Sequence, residues 1–210
     1  MGVRKLLVDW GTTSFRLWAV GAGDAIMGER RSGEGLTSAG DFDAVLESHA
    51  AALGVGSDVP AILCGMVGAR NGWLEAPYLD APVPLSDVAG RATRVTKASR
   101  AVFILPGVCQ RRPAPDVMRG EETKLLGLGR DDGLVLMPGT HTKWARLDGG
   151  LLAGFSTFMT GEIFAHLRGA PTSVLRQAVG EAPLAQTSGP VFADAVRMGF
   201  EAPERLANAA

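Results

Sequence analysis

Val8-Asp9-Trp10-Gly11-Thr12-Thr13-Ser14-Phe15-Arg16 near the start and Met137-Pro138-Gly139-Thr140-His141-Thr142-Lys143-Trp144 past the middle are built alike. Each is an apolar strand that runs into Gly-Thr-x-Ser/Thr and out into a second strand of alternating apolar residues, the pattern of a hairpin. Glycine removes the Cβ obstruction, and successive N–H groups with neighbouring hydroxyls form an anion-binding concavity. One such turn is most simply only a turn. Two, each preceded by an apolar strand, read as paired phosphate grips from the halves of a duplicated fold, able to clamp a polyanion such as the tail of ATP.

Outward from the first turn, residues 3–8, 14–20 and 25–31 read as a three-strand meander punctuated by Gly21, Gly23 and Asp24. A helix fits Phe42 to Leu53, with Asp41 as its N-cap and Phe42, Val45, Leu46, His49 and Leu53 at helical spacing. Pro60 to Met66 returns as a buried strand ending in glycines, and Ala101 to Leu105 is another apolar strand. Meander, helix and central strand make the opening of an RNase H-like α/β unit. Pro77 to Pro84 reads as loop, and Pro113 and Pro115 as a hinge. Beyond them come a helix at 121–128, strands at 134–137, 143–147 and 151–157, and helical segments at 161–168, 173–179 and 190–198. The expected domains are 1–114, with the first phosphate turn and a substrate loop, and 115–210, with the second turn. The second domain lacks a further strand and helix pair, so a truncated chain is expected.

The composition is that of an ordinary soluble protein: 210 residues, 46% hydrophobic, with a formal net charge of −1. The near balance of charge leaves no electrostatic footprint for nucleic acid or an anionic membrane. Apolar runs are only strand-length and no signal-peptide core follows Met1, so the cytoplasm is the expected compartment. Small molecules are the expected partners; a homo-oligomer is compatible with the sequence. Cys64 and Cys109 have no ligand spacing and read as small buried hydrophobes.

Asp9, at the end of the first strand, is suited to hold Mg²⁺ through water beside the phosphates. Arg16 can reach a phosphate or a substrate carboxylate, although a plain surface arginine reads equally well. Lys143 and His141 extend the second turn, Lys143 as a point charge for a phosphate. Glu121 and Glu122 open a helix, where carboxylates either complement the dipole or take the proton of an acceptor hydroxyl during phosphoryl transfer. Gly65 to Tyr78 gathers Arg70, Asn71, Trp73 and Glu75 into one loop, a hydrophobic wall with polar groups that suits a hydroxylated acid. Trp73 also reads as core filler. Thr160, Gly161 and Glu162 open a helix whose glycine permits a close approach to a ligand.

These pieces resemble the sugar-kinase branch of the actin/hexokinase/Hsp70 ATPase superfamily, and more closely the 2-dehydro-3-deoxygalactonokinases. The resemblance is carried by Asp9 to Arg16, Gly65-Met66-Val67-Gly68, Gly72-Trp73-x-Glu75-x-Pro77-Tyr78, Met118 to Thr123, Leu136-x-Pro138 to Trp144, and Met159 to Glu162. It implies duplicated RNase H-like domains with mixed sheets, and phosphorylation of the C6 hydroxyl of 2-dehydro-3-deoxy-D-galactonate with ATP and Mg²⁺ in D-galactonate breakdown. Phosphate contacts then fall to Gly11, Thr12, Thr13, Ser14, Gly139, Thr140, His141, Thr142 and Lys143, and substrate contacts to Arg16, Arg70, Asn71, Trp73 and Glu75. Related sugar kinases carry the base in Gly-Asp-Gln, where this chain has Gly120-Glu121-Glu122, so the base stands open between the two glutamates. An exopolyphosphatase-like hydrolase uses the same turns on a polyanion, and a non-catalytic module of this fold could bind a sugar acid or nucleotide without turnover.

Overall fold

Strict alternation in Lys5–Trp10 (β1) sends Leu6, Val8 and Trp10 into a core while Lys5, Leu7 and Asp9 stay half-buried on the other face. In the computed structural model, which describes residues 2–179 and 189–203, β1 is the centre of a six-stranded sheet. Its other members are Phe15–Val20 (β2), Ile26–Ser32 (β3), Ala61–Gly65 (β4), Thr93–Val95 (β7) and Val102–Ile104 (β8), in the order β3-β2-β1-β4-β8-β7. The β1–β2 and β2–β3 pairs are antiparallel, and β1–β4 and β4–β8 are parallel. An antiparallel meander whose first strand pairs in parallel with β4, which pairs in parallel with β8, is the RNase H-like arrangement expected from the sequence.

Phe42–Ala52 (α1) covers one face, and its Asp41 N-cap accepts the Ala44 N–H at 3.1 Å, as expected. Leu46 and Ala50 of α1 pack with Leu6, Val8, Trp10, Phe15, Leu17 and Leu63 in the first core. Trp10 meets Phe15 edge-on at 4.7 Å and Phe42 at 5.2 Å between ring centroids, geometries that aromatic rings favour.

Between the halves the structure is richer than the sequence suggested. Leu79–Asp80 (β5), Val83–Pro84 (β6) and Asp87–Gly90 (α2) occupy the stretch read as proline-rich loop and its continuation. Val108–Gln110 (β9) and Asp116–Met118 (β10) pair antiparallel and join β5 in a three-stranded sheet. The expected hinge at Pro113 and Pro115 is therefore the tip of a hairpin. Strands of two or three residues are too short to show periodicity, which is why the sequence hid them.

Glu121–Leu128 (α3) has the bounds expected of it. Gly133–Met137 (β11), Thr142–Asp148 (β12) and Leu151–Phe158 (β13) form the second meander, closed by β6 on the outer edge of β13. The second core holds Met118, Leu125, Ala145, Leu147, Leu152 and Phe155, and draws Val83, Leu85 and Val108 from before residue 114.

By its contacts the chain divides into two units, Met1–Pro138 with Thr142–Phe158, and Gly139–His141 with Met159–Ala210. The second unit carries the tip of the second turn with the helices Thr160–Gly169 (α4), Val174–Val179 (α5) and Pro190–Glu201 (α6). The terminal stretch Arg205 to Ala210 lies outside the described residues. Among the described residues no helix is long and apolar enough to cross a membrane.

Candidate functional site

The face of the six-stranded sheet that α1 leaves uncovered holds the chemistry. Register places Asp9 opposite Arg16 on β2 and Cys64 on β4, and Leu7 opposite Trp18 and Ile62. These six residues line a cavity of about 310 Å³ that is closed by Leu105 and by Gly120, Thr123 and Lys124 at the start of α3. Arg16 Nη1 stands 3.7 Å from Asp9 Oδ2, so the arginine helps balance the carboxylate. At the end of β1 the Gly11 N–H donates to the Ser14 carbonyl at 2.8 Å and closes the first turn. The N–H groups of Thr12, Thr13 and Ser14 make no backbone hydrogen bond among the described residues, and both threonines are exposed.

Glycines bring α3 to this cavity. Gly65 and Gly120 have φ of +92° and +110°, a region that L side chains avoid. A Cβ on Gly120 would lie 3.3 Å from the Gly65 Cα, and one on Gly65 only 2.7 Å from the Trp10 carbonyl oxygen. The two backbones can therefore cross directly beside the end of β1.

Glu121 and Glu122 leave this crossing in different environments. Glu121 is half-buried, and its Oε2 accepts the Arg119 backbone N–H at 3.0 Å. Glu122 is 1% exposed, and both of its oxygens lie 2.8 Å from the Gly120 nitrogen. Burial pushes its carboxyl up from 4.5 to about 7, with the neighbouring Glu121 adding to the rise and the backbone hydrogen bonds opposing it. Burial likewise pushes the Cys64 thiol up to about 12, helped by the charges of Asp9 and Glu122. Cys64 and Cys109 are both free and only partly buried as whole residues, and the Cys109 Sγ donates to Asp80 at 3.1 Å. The reading of both as buried hydrophobes needs that correction.

The loop after β4 divides its residues. Arg70 and Asn71 are exposed, and Arg70 Nε stands 3.8 Å from Glu75 Oε1. Trp73 is partly buried, stacked on Phe42 at 6.1 Å and packed against the first core, as its reading as core filler expected. A residue that the sequence left without a role organises this loop. Arg119 donates from Nη2 to the Ala76 carbonyl at 2.9 Å and from Nε to the Tyr78 hydroxyl at 3.3 Å, with its guanidinium carbon 4.1 Å from the Tyr78 ring centroid. Its Nη1 is buried without a hydrogen-bond partner among the described residues. The signal was its place inside Met118 to Thr123, directly before the two glutamates.

In the second turn, Gly139, Thr140 and His141 are exposed, and the His141 ring nitrogen pairs with the Glu162 carboxylate. Lys143 is not presented by this turn as expected. It is 5% exposed, and its ammonium donates to the Val117 carbonyl and the Thr157 hydroxyl, both at 2.6 Å, with Asp116 at 3.9 Å. An ammonium so enclosed ties β12 to β10 and β13. Gly161 does approach something closely, but it is the backbone of the turn: a Cβ there would run into the Gly139 carbonyl oxygen.

A magnesium nucleotide fits the first turn on its donor chemistry: amides without a backbone partner among the described residues, exposed threonine hydroxyls, and one hard carboxylate, Asp9, that lines the cavity. Among the described residues no three His, Cys, Asp or Glu side chains converge on a metal position. Such an ion would lean on Asp9, water and phosphate oxygens, which is how Mg²⁺ is ordinarily held.

Residues 9–210 match the 2-keto-3-deoxy-galactonokinase family. The chain is 49% identical over 208 residues to the "Probable 2-dehydro-3-deoxygalactonokinase DgoK1" of Rhizobium meliloti (strain 1021), covering 96% of this chain and 67% of the relative. It is 35% identical over 167 residues to the 2-dehydro-3-deoxygalactonokinase of Escherichia coli (strain K12), covering 78% of this chain and 56% of the relative. A crystal structure assigned as a 2-dehydro-3-deoxygalactonokinase protein from Sinorhizobium meliloti superposes with a TM-score of 0.88 at 48% identity, covering 97% of this chain and 68% of that one. The chain thus spans 67% and 56% of the lengths of these two curated relatives.

Proposed function

This chain belongs to the 2-keto-3-deoxy-galactonokinase family, and we propose that it serves ATP-dependent phosphorylation of the 6-hydroxyl of 2-dehydro-3-deoxy-D-galactonate, in the breakdown of D-galactonate. The observation that supports this reading most is the shared cavity: Asp9 and Arg16, which flank the first Gly-Thr turn in sequence, line the same space as Gly120 and Thr123, which flank the two glutamates. A phosphate grip and a carboxylate-bearing helix start, each adjoining residues of one cavity, are what phosphoryl transfer to a hydroxyl needs. Mg²⁺ bound with the nucleotide would supply charge neutralisation at the phosphates, and Asp9 is the residue to hold it through water.

In this reading the amides and hydroxyls of Gly11 to Ser14 hold phosphate oxygens, and Gly139 to Thr142 offer a second set of donors of the same kind. Glu121 is the base. Its carboxylate is half-exposed and has one backbone partner, whereas Glu122 is enclosed and out of reach of a substrate hydroxyl. Arg70 and Asn71 are exposed donors for a carboxylate and hydroxyls of the sugar acid. The cytoplasm, where ATP is available and free thiols persist, is the compartment that this activity implies.

A coupled ADP-release assay across a panel of sugar acids tests the reading. ADP formed only with a 2-keto-3-deoxy acid supports it; ADP formed equally without any acceptor would replace it with hydrolysis. Glu121→Gln is expected to lower turnover by at least about 10²-fold while nucleotide still binds, as general-base removal does. Unchanged turnover would remove Glu121 from the role.

A further inference from the structure

Between β3 and α1 the chain runs through Gly33-Glu34-Gly35-Leu36-Thr37-Ser38, a stretch that lies directly on the first turn. A Cβ at Gly35 would come within 2.5 Å of the Ser14 nitrogen, the Thr12 carbonyl oxygen and the Thr13 carbonyl carbon. The Leu36 and Thr37 N–H groups donate to the Gly11 and Thr12 carbonyls at 3.0 and 3.1 Å, and the Thr37 hydroxyl donates to the same Thr12 oxygen at 3.0 Å. The stretch is itself anchored: the Trp10 indole donates to the Glu34 carbonyl at 2.8 Å, the Glu34 carboxylate pairs with His49 at 2.8 Å, and Ser38 Oγ donates to the Gly33 carbonyl at 2.9 Å.

The consequence concerns dipoles. A tight turn exposes carbonyl oxygens as readily as amides, and a carbonyl aimed at a polyanion repels it. Here the carbonyls of Gly11 and Thr12 are drawn back onto residues 36 and 37, while the amides of Thr12 to Ser14 have no backbone partner among the described residues. The same device recurs in the second unit, where Gly161 backs onto Gly139 and Thr140, and the Glu162 N–H captures the Thr140 carbonyl at 3.0 Å. Neither glycine has a positive φ, so close approach, not backbone freedom, is what each supplies.

We infer that Gly35 and Thr37 for the first turn, and Gly161 of α4 for the second, are positioning residues that each strap the Gly-Thr turn of their own unit so that the turn offers donors, not carbonyls, to a polyphosphate. This rests on the kinase reading for the identity of the ligand. It is tested by calorimetric titration of the full chain with Mg-ATP, with inorganic tripolyphosphate and with 2-dehydro-3-deoxy-D-galactonate. Gly35→Ala is expected to weaken both polyphosphates by at least about tenfold, the effect of losing one or two directed donors, and to leave sugar-acid affinity within about twofold. Gly161→Ala is expected to act in the same direction. Thr37→Val should weaken polyphosphate binding several-fold and Thr37→Ser should restore it, a rescue that loss of general stability would not show. Wild-type polyphosphate affinity in Gly35→Ala would overturn the inference; if that variant does not fold, equal affinities for Thr37→Val and wild type would overturn it. A wild-type chain that binds tripolyphosphate in this strap-dependent way but ignores the sugar acid would refute the kinase reading and leave the strap standing. A wild-type chain that binds no polyphosphate would refute both.

Discussion

Replacing Glu122 with glutamine should change how the protein's stability depends on pH, and the size of the change follows from its surroundings. Glu122 is 1% exposed, near Cys64 on the sheet and Glu121 on its own helix, and burial lifts its carboxyl from 4.5 to about 7. Between these values the folded chain holds a proton that the unfolded chain has released, so stability falls as pH rises through that window. At about 1.4 kcal/mol per unit, the stabilisation present below pH 4.5 and gone above pH 7 comes to about 3 kcal/mol. Glutamine carries no proton to lose and can still accept the Gly120 N–H. Urea denaturation of wild type and Glu122→Gln at intervals from pH 4.5 to 8 should therefore show the variant gaining on wild type by about 3 kcal/mol across the range. Any fixed cost of the substitution drops out, because the slope of the difference is the quantity read. A difference that stays flat with pH would refute the assignment of a buried, proton-holding carboxyl at this position.

Asp9→Asn should lower magnesium-dependent turnover by about 10–100-fold, the usual effect of removing an outer-sphere partner; initial rates over a magnesium series check it, and full activity at ordinary magnesium would count against a metal role. Arg119→Lys cannot reach both the Ala76 carbonyl and the Tyr78 hydroxyl. The variant is expected to lose about 1–3 kcal/mol of stability and to raise the KM for the sugar acid several-fold with a smaller change in kcat; kinetics unchanged beside a lowered melting temperature would confine Arg119 to a structural part.

The elements most legible in the sequence were those whose side chains report their environment at every position. β1 and β2 alternate, α1 repeats apolar residues at helical spacing behind an Asp cap, and α3 starts at Glu121 as read. What stayed hidden was set by distant contacts. β5, β6, β9 and β10 have two or three residues each, too few to show a period, and β5 and β6 exist because partners elsewhere in the chain pair with them. Lys143 looked like a phosphate ligand because its neighbours in sequence suit that role, but strand alternation turns it toward Val117 and Thr157, away from the tip of the turn. Gly35 carried no signal because its reason for being glycine is the backbone of residues 12 to 14, more than twenty positions earlier.

That dependence ties the site to the register of one strand. Trp10 ends β1 fully buried between Phe15 and Phe42, and Asp9 beside it faces the cavity with Arg16 and Cys64. A slip of one residue would exchange the two faces, driving a carboxylate into the core and an indole into the cavity, each at a cost that a domain of ordinary stability could not absorb. The apolar residues that fix Leu6, Val8 and Trp10 in the core therefore also fix where Asp9 points and where Gly11 begins to turn. Substitutions on the covered face should act through stability, and those on the open face through ligand affinity, although the residues concerned alternate along a single strand.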